Sequence, residues 1–516
     1  MEIKRTVCYE DFGAVGDGVT DDFDAIARAH AYANENKLDV KTDDSKTYYI
    51  GDTGIGEKEN KPSIKIKTNV DWGNSKFIID DSGITSSMFS KNANIFTVCR
   101  DNPAVTYTIE NDTPNGAIKK INDEGGIGRS ATKLDLGIGY DAMLVVVNEN
   151  KKVYVRVGAN KDNGSAQTEV ICVDKNGSID PTTPFLLNYN EITKIIVYRI
   201  DDTPITLRGG IFTTIANQAK EDYRYYYRNI VLARSNVTVT DFTYRIEGEG
   251  EHGDPYAAFL NVYHCANVLI KDSTLQSHKY YWCVGAGGGN PVGMGTYAIN
   301  ASTCNNIVWK NCIQSNFYNE DGVTVNDDVW GIMGSSYSKN LVYEDCILNR
   351  FDAHAGVYNS KIINSRVQDF RIIGGGEILI ENTHLYNNLL ISMREDYGST
   401  WNGRVILKDV TIHNTSEPYL VYGLWYNHDF GYPTYVPEEI IIDGLKLTKK
   451  TDINIFTKKF VAQSANALLD EVDGKSNVNK MTPPKRIIIK NNRDNYNFIK
   501  PDSEFFKDTE YITEDN

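Results

Sequence analysis

One short pattern returns along the chain from about residue 236 to residue 447, and no other feature limits the fold as much. The copies NVTVTDFTY from Asn236, NVLIKDSTL from Asn267, NIVWKNCI from Asn306 and NLVYEDCIL from Asn340 are followed by KIINSRV from Lys361, EILIENTHL from Glu377, RVILKDVTI from Arg404 and EIIIDGLKL from Glu439. Each is an alternating apolar run, then Asp or Asn, then a small residue, then a second short alternation. Alternation with a period of two predicts strands. A strand unit repeated at this spacing, with no helical pattern between copies, predicts a stacked coil of short parallel strands, a β-helix. Cys265 and Cys304 hold one column of the copies, and Cys312 and Cys346 hold another. Such columns predict an interior ladder of small buried thiols, not disulfides. Asn267, Asn306 and Asn340 read as a structural turn ladder.

Net charge is −15 over 516 residues, which argues against nucleic-acid or anionic-membrane binding. It also requires a locally basic cleft for any polyanionic substrate. No apolar run reaches the length of a membrane span, and the first residues, MEIKRTVCYEDF, lack the apolar core of a secretory leader. Neither Cys-x-x-Cys nor Cys/His metal spacing occurs. A Ca²⁺ site from Glu247, Glu249, Glu251 and Asp254 lacks the fixed-spacing loop that would support it, so no cofactor is expected.

The segment DFGAVGDGVTDDFDAI, from Asp11, predicts a glycine-punctuated loop with Thr20 as the N-cap of a short helix. Phe23, Ile26, Ala27 and His30 form its apolar stripe, with His30 as a core residue. That helix suits a cap over the first turn of the coil. The segment resembles the N-terminal signature of the pectate-lyase-like superfamily of right-handed parallel β-helices, which includes polysaccharide lyases, polygalacturonase-like hydrolases and bacteriophage tailspikes. The resemblance implies an all-β, right-handed parallel β-helix and a carbohydrate ligand, without choosing the reaction.

Four regions are expected. Residues 1–85 form the cap and first turns, 86–202 an inserted antiparallel β subdomain, 203–447 the main coil, and 448–516 a distal cap or appendage. Within the insertion, MLVVVNENKKVYVRVG reads as a hairpin around Asn148-Glu149-Asn150.

Function on a solenoid belongs to outward residues and loops. Swollen loops carry His252, His278, Lys279, Tyr281, Trp282, Trp330, Tyr397 and Trp401, candidate substrate contacts that would wall a cleft along the coil. The copy with almost no insertion carries Arg350, Asp352 and His354 as a candidate cleft floor. For a hydrolase, the candidate carboxylates are Asp327, Asp328, Asp352, Glu395 and Asp396. For a lyase, Arg350, Arg394, His354 and Lys279 would neutralise a uronate and take its neighbouring proton. The order Asp327-Asp328, His354, Arg394 echoes the polygalacturonase-like pattern, although no Asn-Thr-Asp precedes the Asp pair. A competing alignment places His354 opposite Ile299, Ile332 and Ile372, in an interior column. Asp352→Asn and Arg394→Ala are expected to abolish turnover with little change in melting.

The first reading is therefore an enzyme cleaving glycosidic bonds of a complex polysaccharide, acidic ones included. The alternative is a tailspike-type adsorption protein that binds surface glycan. The adsorption protein would be a homotrimer and the secreted enzyme a monomer, in either case extracellular or on a virion.

Overall fold

The computed structural model describes residues 6–51, 62–83, 93–157, 164–219, 225, 227–284, 291–294, 298–329 and 336–514. Its principal sheet is a single ladder of parallel strands winding along the molecule. One interior row shows the stacking. Val237 pairs with Val268, then Ile307, Leu341, Ser360, Ile378, Val405, Ile440, Ile487 and Tyr511, turn after turn. Parallel strands joined by crossovers take the right-handed sense, and the fold is a right-handed parallel β-helix, as expected from the repeat. A second, five-stranded sheet supplies a further wall to the early turns through Phe96–Cys99, Ile230–Ala233, Leu260–Tyr263 and Ile299–Ser302.

The recurring Asp or Asn is what bends each turn. Asp241, Asp272, Asn311, Asp345, Asn364, Asn382 and Asp409 all have positive φ, between 46° and 57°. These side chains tolerate the left-handed region better than other L-residues, and they bond to one another up the coil. Asn311 donates to Asp272 (2.8 Å), Asn364 to Asp345 (3.1 Å) and Asn382 to Asn364 (2.9 Å). The other turn column is the ladder of Asn236, Asn267, Asn306 and Asn340, linked at 3.1, 3.2 and 2.8 Å. At five of these seven bends the next residue is small and points inward: Ser273, Cys312, Cys346, Ser365 and Thr383 are all buried. Ile347 N donates to Cys312 O across the rung, and both thiols are free.

Helix Phe23–Asn36 covers the N-terminal end, but Thr20 does not cap it. Thr20 belongs to strand Asp17–Asp21 and bonds to the Asp17 carboxylate. The N-cap position is Asp22, whose carboxylate accepts from Val15 N (2.7 Å) and Gly16 N (3.2 Å) and closes the glycine loop instead. His30 is a core residue bonded to the Tyr9 hydroxyl at 2.8 Å, and burial pulls its pKa down to about 3.

The inserted subdomain is a four-stranded antiparallel sheet ordered Val105–Thr108, Lys194–Arg199, Ala142–Val153, Ser165–Val173, with its own core. Its antiparallel pairing begins at Val105; Phe96–Cys99, inside the segment expected to be inserted, pairs in the coil. The hairpin expected at Asn148-Glu149-Asn150 is a bulge within one long strand. Asn148 pairs with Gln167 and Lys152 already with Ala166, so the residues between are extruded. Lys339 and Glu169, both fully buried and 2.7 Å apart, lock the subdomain to the coil. Residues 448–516, expected as a distal cap or appendage, contain helix Lys458–Ser464 and also extend the coil through Ile453–Phe456, Arg486–Lys490 and Glu510–Glu514.

Candidate functional site

The site lies where one strand of the turn lengthens. At Thr274–Leu275 and Ile313–Gln314 this strand has two residues. At Ile347–Asp352 it has six and at Arg366–Ile372 seven. Phe351 and Phe370 pair in the interior with centroids 4.7 Å apart. Alternation then sets Arg350, Asp352, Asp369 and Arg371 on the opposite face. Register makes Arg350 the neighbour of Asp369 and Asp352 the neighbour of Arg371, an arrangement in which opposite charges meet across strands.

Asp352 is fully buried between two arginines. Arg350 Nη2 reaches its Oδ2 at 2.6 Å and Arg394 Nη1 its Oδ1 at 2.5 Å, with His354 Nε2 3.7 Å from Oδ1. Burial works to raise this carboxyl, but Arg350, Arg394 and His354 outweigh it and hold it well below the usual carboxylate range. Arg394 turns its other edge to Asp396, Nε to Oδ1 at 3.1 Å and Nη2 to Oδ2 at 2.9 Å. Burial is likewise outweighed at Asp396, where Arg394 and then Arg156 lower the pKa. Arg350 Nε also lies 3.7 Å from Asp369 Oδ2, which accepts from Arg371 Nε at 2.8 Å.

Beside this cluster runs an open groove of about 420 Å³ lined by Tyr280, Trp282, Asp327, Asn349, Arg350, Gln368, Asp369 and Arg371. Buried Asn349 fixes its far wall by donating to Asn326 O (3.1 Å) and Val329 O (3.3 Å), which pins the loop bearing Asp327. Tyr280 N donates to Asp328 O, tying in strand Tyr281–Val284, whose Trp282 is 65% exposed. Gln368 donates to the Asp327 carboxylate. Two carboxylates from different turns, two guanidiniums and an exposed indole thus share one trough.

The other expected residues divide clearly. Arg394, Asp352, His354, Arg350 and Tyr397 come together; the His354 ring is edge-on to Tyr397 and its side chain 31% exposed. The interior alignment of His354 is not met at its two described positions, where Ile299 pairs with Leu260 in the other sheet and Ile372 with Met393, while Ile332 lies outside the described residues. Glu395 is exposed and accepts from the Tyr422 hydroxyl at 2.5 Å. Asp328 is exposed but is not among the groove-lining residues. His278 is buried, stacked on Tyr256 and bonded to Tyr244 and Glu249. Lys279 Nζ lies 5.0 Å from the ring centre of Tyr281, itself buried, and donates to Gly250 O. His252 is exposed on its loop. Trp401, expected to meet substrate, is wholly buried because it opens strand Trp401–Lys408, with its indole donating to Gly376 O. Trp330 lies outside the described residues. No group of three or more His, Cys, Asp or Glu among the described residues is placed to hold a metal ion.

Asp369, Arg371 and Gln368 were not singled out by the sequence, although QDFR in the copy SRVQDFRII marks a break in the apolar alternation. Arg156, which reaches Asp396 from the inserted subdomain at 2.8 Å, carries no sequence signal at all.

No family model matches the chain, and no curated protein matches it by sequence. Among solved structures it is similar to the tailspike of Pseudomonas phage phi297 (10% identity, 90% of this chain and 84% of that one, TM-score 0.44). It is similar also to the tailspike of Acinetobacter baumannii bacteriophage AP22, solved with a capsular saccharide (11%, 98% and 79%, 0.46). A third is the Streptococcus pneumoniae surface protein and adhesin PfbA (11%, 99% and 100%, 0.41). No helix among the described residues is long and apolar enough to cross a membrane. By its strand topology the chain is a right-handed parallel β-helix.

Proposed function

We propose that the protein binds a complex polysaccharide along this groove and hydrolyses its glycosidic bonds. The observation that carries the reading is that Asp327 and Asp369, from different turns of the coil, open onto one trough beside an exposed tryptophan. Glycoside hydrolysis needs a pair of carboxyl groups flanking the scissile bond. Asp327, held in place by the Gln368 amide, is assigned the acid of the pair: it protonates the bridging oxygen as the bond to the anomeric carbon breaks. Asp369, flanked by Arg350 and Arg371, is assigned the carboxylate that takes a proton from the incoming water. Asp352 is too buried to meet a sugar. Its role here, with Arg394, is to hold Arg350 against Asp369. Trp282 and Tyr280 supply flat apolar faces for sugar rings.

Incubation with uronic-acid and neutral polysaccharides tests the reading, scoring new reducing ends beside the absorbance of an unsaturated product. New ends without absorbance support hydrolysis. Absorbance with new ends makes the enzyme a lyase, with Arg350 and Arg371 as the cations that meet a uronate. Binding with neither product leaves an adsorption protein, for which a stable homotrimer in solution is the expected companion. The proposed location is extracellular or on a virion.

A further inference from the structure

We infer that the inserted subdomain completes this site, and that Arg156 is a positioning residue for the Arg394–Asp352–Arg350 chain of charges. The inference rests on the proposed cleavage of polysaccharide in the groove.

Strand Ala142–Val153 runs out of the subdomain's sheet into Tyr154, Val155, Arg156 and Val157. This tip is seated across several turns of the coil. Tyr154 shares a hydroxyl hydrogen bond with Tyr358, and its ring lies 5.4 Å from that of Tyr432. It fits only because residue 356 is glycine. There φ is +90°, and a Cβ would come within 2.7 Å of the Tyr154 ring. Val157 N donates to Asp396 O at 3.2 Å, so the turn Glu395–Tyr397 is held by backbone as well as by side chain.

Arg156 Nε and Arg394 Nη2 converge on the same oxygen, Asp396 Oδ2, at 2.8 and 2.9 Å. Both guanidiniums also lie over the Tyr397 ring, 5.8 and 5.5 Å from its centre. Asp396 therefore has two cations to satisfy it, one from each structural unit. Arg394 presents Nε and Nη2 to Asp396 and Nη1 to Asp352. A planar fork engaged on both edges cannot turn without breaking one of them. Loss of Arg156 leaves Asp396 to Arg394 alone. Any shift of that carboxylate then passes through Arg394 to Asp352, and from there to Arg350 and the groove.

The test uses the full chain with Arg156→Ala, Arg156→Lys and, as a control on the exposed far part of the subdomain, Lys133→Ala. On a cleaved polysaccharide, Arg156→Ala is expected to lower kcat by roughly tenfold to a hundredfold with KM changed much less, because Arg156 does not line the groove. Arg156→Lys restores part of kcat, and Lys133→Ala equals wild type. Hydrogen exchange supplies a readout that needs no substrate: amides of residues 394–399 exchange faster in Arg156→Ala than in wild type, and those of the coil interior do not. If wild type cleaves and Arg156→Ala keeps both its kcat and its exchange rates, the inference falls. If no polysaccharide is cleaved by wild type, the hydrolase reading falls, and unchanged exchange at 394–399 would independently remove the inference.

Discussion

Two grooves among the described residues have about the same volume, 420 Å³, and their contrast is instructive. The first runs between the inserted subdomain and the coil, lined by Arg129, Leu186, Gly376, Glu377, Arg404, Glu438 and Lys485 among others. The charges on its coil side are matched from turn to turn: Arg404 to Glu377, Lys485 to Glu438 and Arg486 to Glu439. These cations are half exposed or more, and no aromatic ring among the described residues lines the trough. Such ladders are ordinary solvated ion pairs worth little. The second groove has an exposed indole, carboxylates from two different turns, and a floor whose charges are braced from below by buried Asp352. Size does not tell the two apart. What does is whether charge is neutralised locally or organised toward an open space.

The contrast breaks most easily at Asp369. Asp369→Asn is expected to cut turnover about 10²- to 10⁴-fold, the range for losing a general acid or base, with an unchanged melting curve, whereas Glu377→Gln in the other groove leaves kcat alone. Reducing-end assays on both variants check this.

Asp352→Asn tests the bracing. It removes the carboxylate that Arg350 and Arg394 share, leaving Arg394 to Asp396 and Arg350 to the more distant Asp369; breaking a buried pair destabilises, so the variant should melt below wild type as well as lose turnover. This departs from the sequence-based expectation of unchanged melting, because the carboxylate has no exposed surface. The same group predicts a pH effect. Its folded pKa is depressed, so its contribution is complete above the unfolded value of about 3.9 and lost as pH falls through the folded value. The stability gap between wild type and Asp352→Asn should therefore narrow in acid, as denaturation at stepped pH will show.

Trp282→Ala sharpens the comparison from the ligand side. Losing one stacking face costs about 0.5–1.5 kcal/mol, read as a several-fold rise in KM with kcat nearly constant. Smallest of all, Arg404→Ala should change stability by less than about 1 kcal/mol and leave both constants as they are.

How far the sequence carried follows the same division. The coil was legible because stacking repeats its demands: an Asp or Asn at each left-handed bend, a small residue just inside, an apolar alternation on either side. The site was only half legible, because it is built from departures. Arg350, Asp352 and Arg394 were visible as charges in an otherwise apolar register. Asp369 and Arg371 were hidden in a copy that still read as a strand. His354 was misaligned because the chain breaks its period after Asp352, where Ala355 and Gly356 take φ of 42° and 90°. Trp401 was misread because a tryptophan after a polar loop looks like a loop residue until the strand it opens is seen. Arg156 was beyond reach, since contacts between an insertion and its host leave no local pattern.

The most direct test of the central claim is single-turnover release of reducing ends by wild type, Asp327→Asn and Asp369→Asn on one susceptible polysaccharide, with binding of the same polymer measured in parallel. Both variants should bind as wild type does and release ends at least a hundredfold more slowly. Wild-type rates in both would contradict the assignment of this groove as the place where the chain is cut.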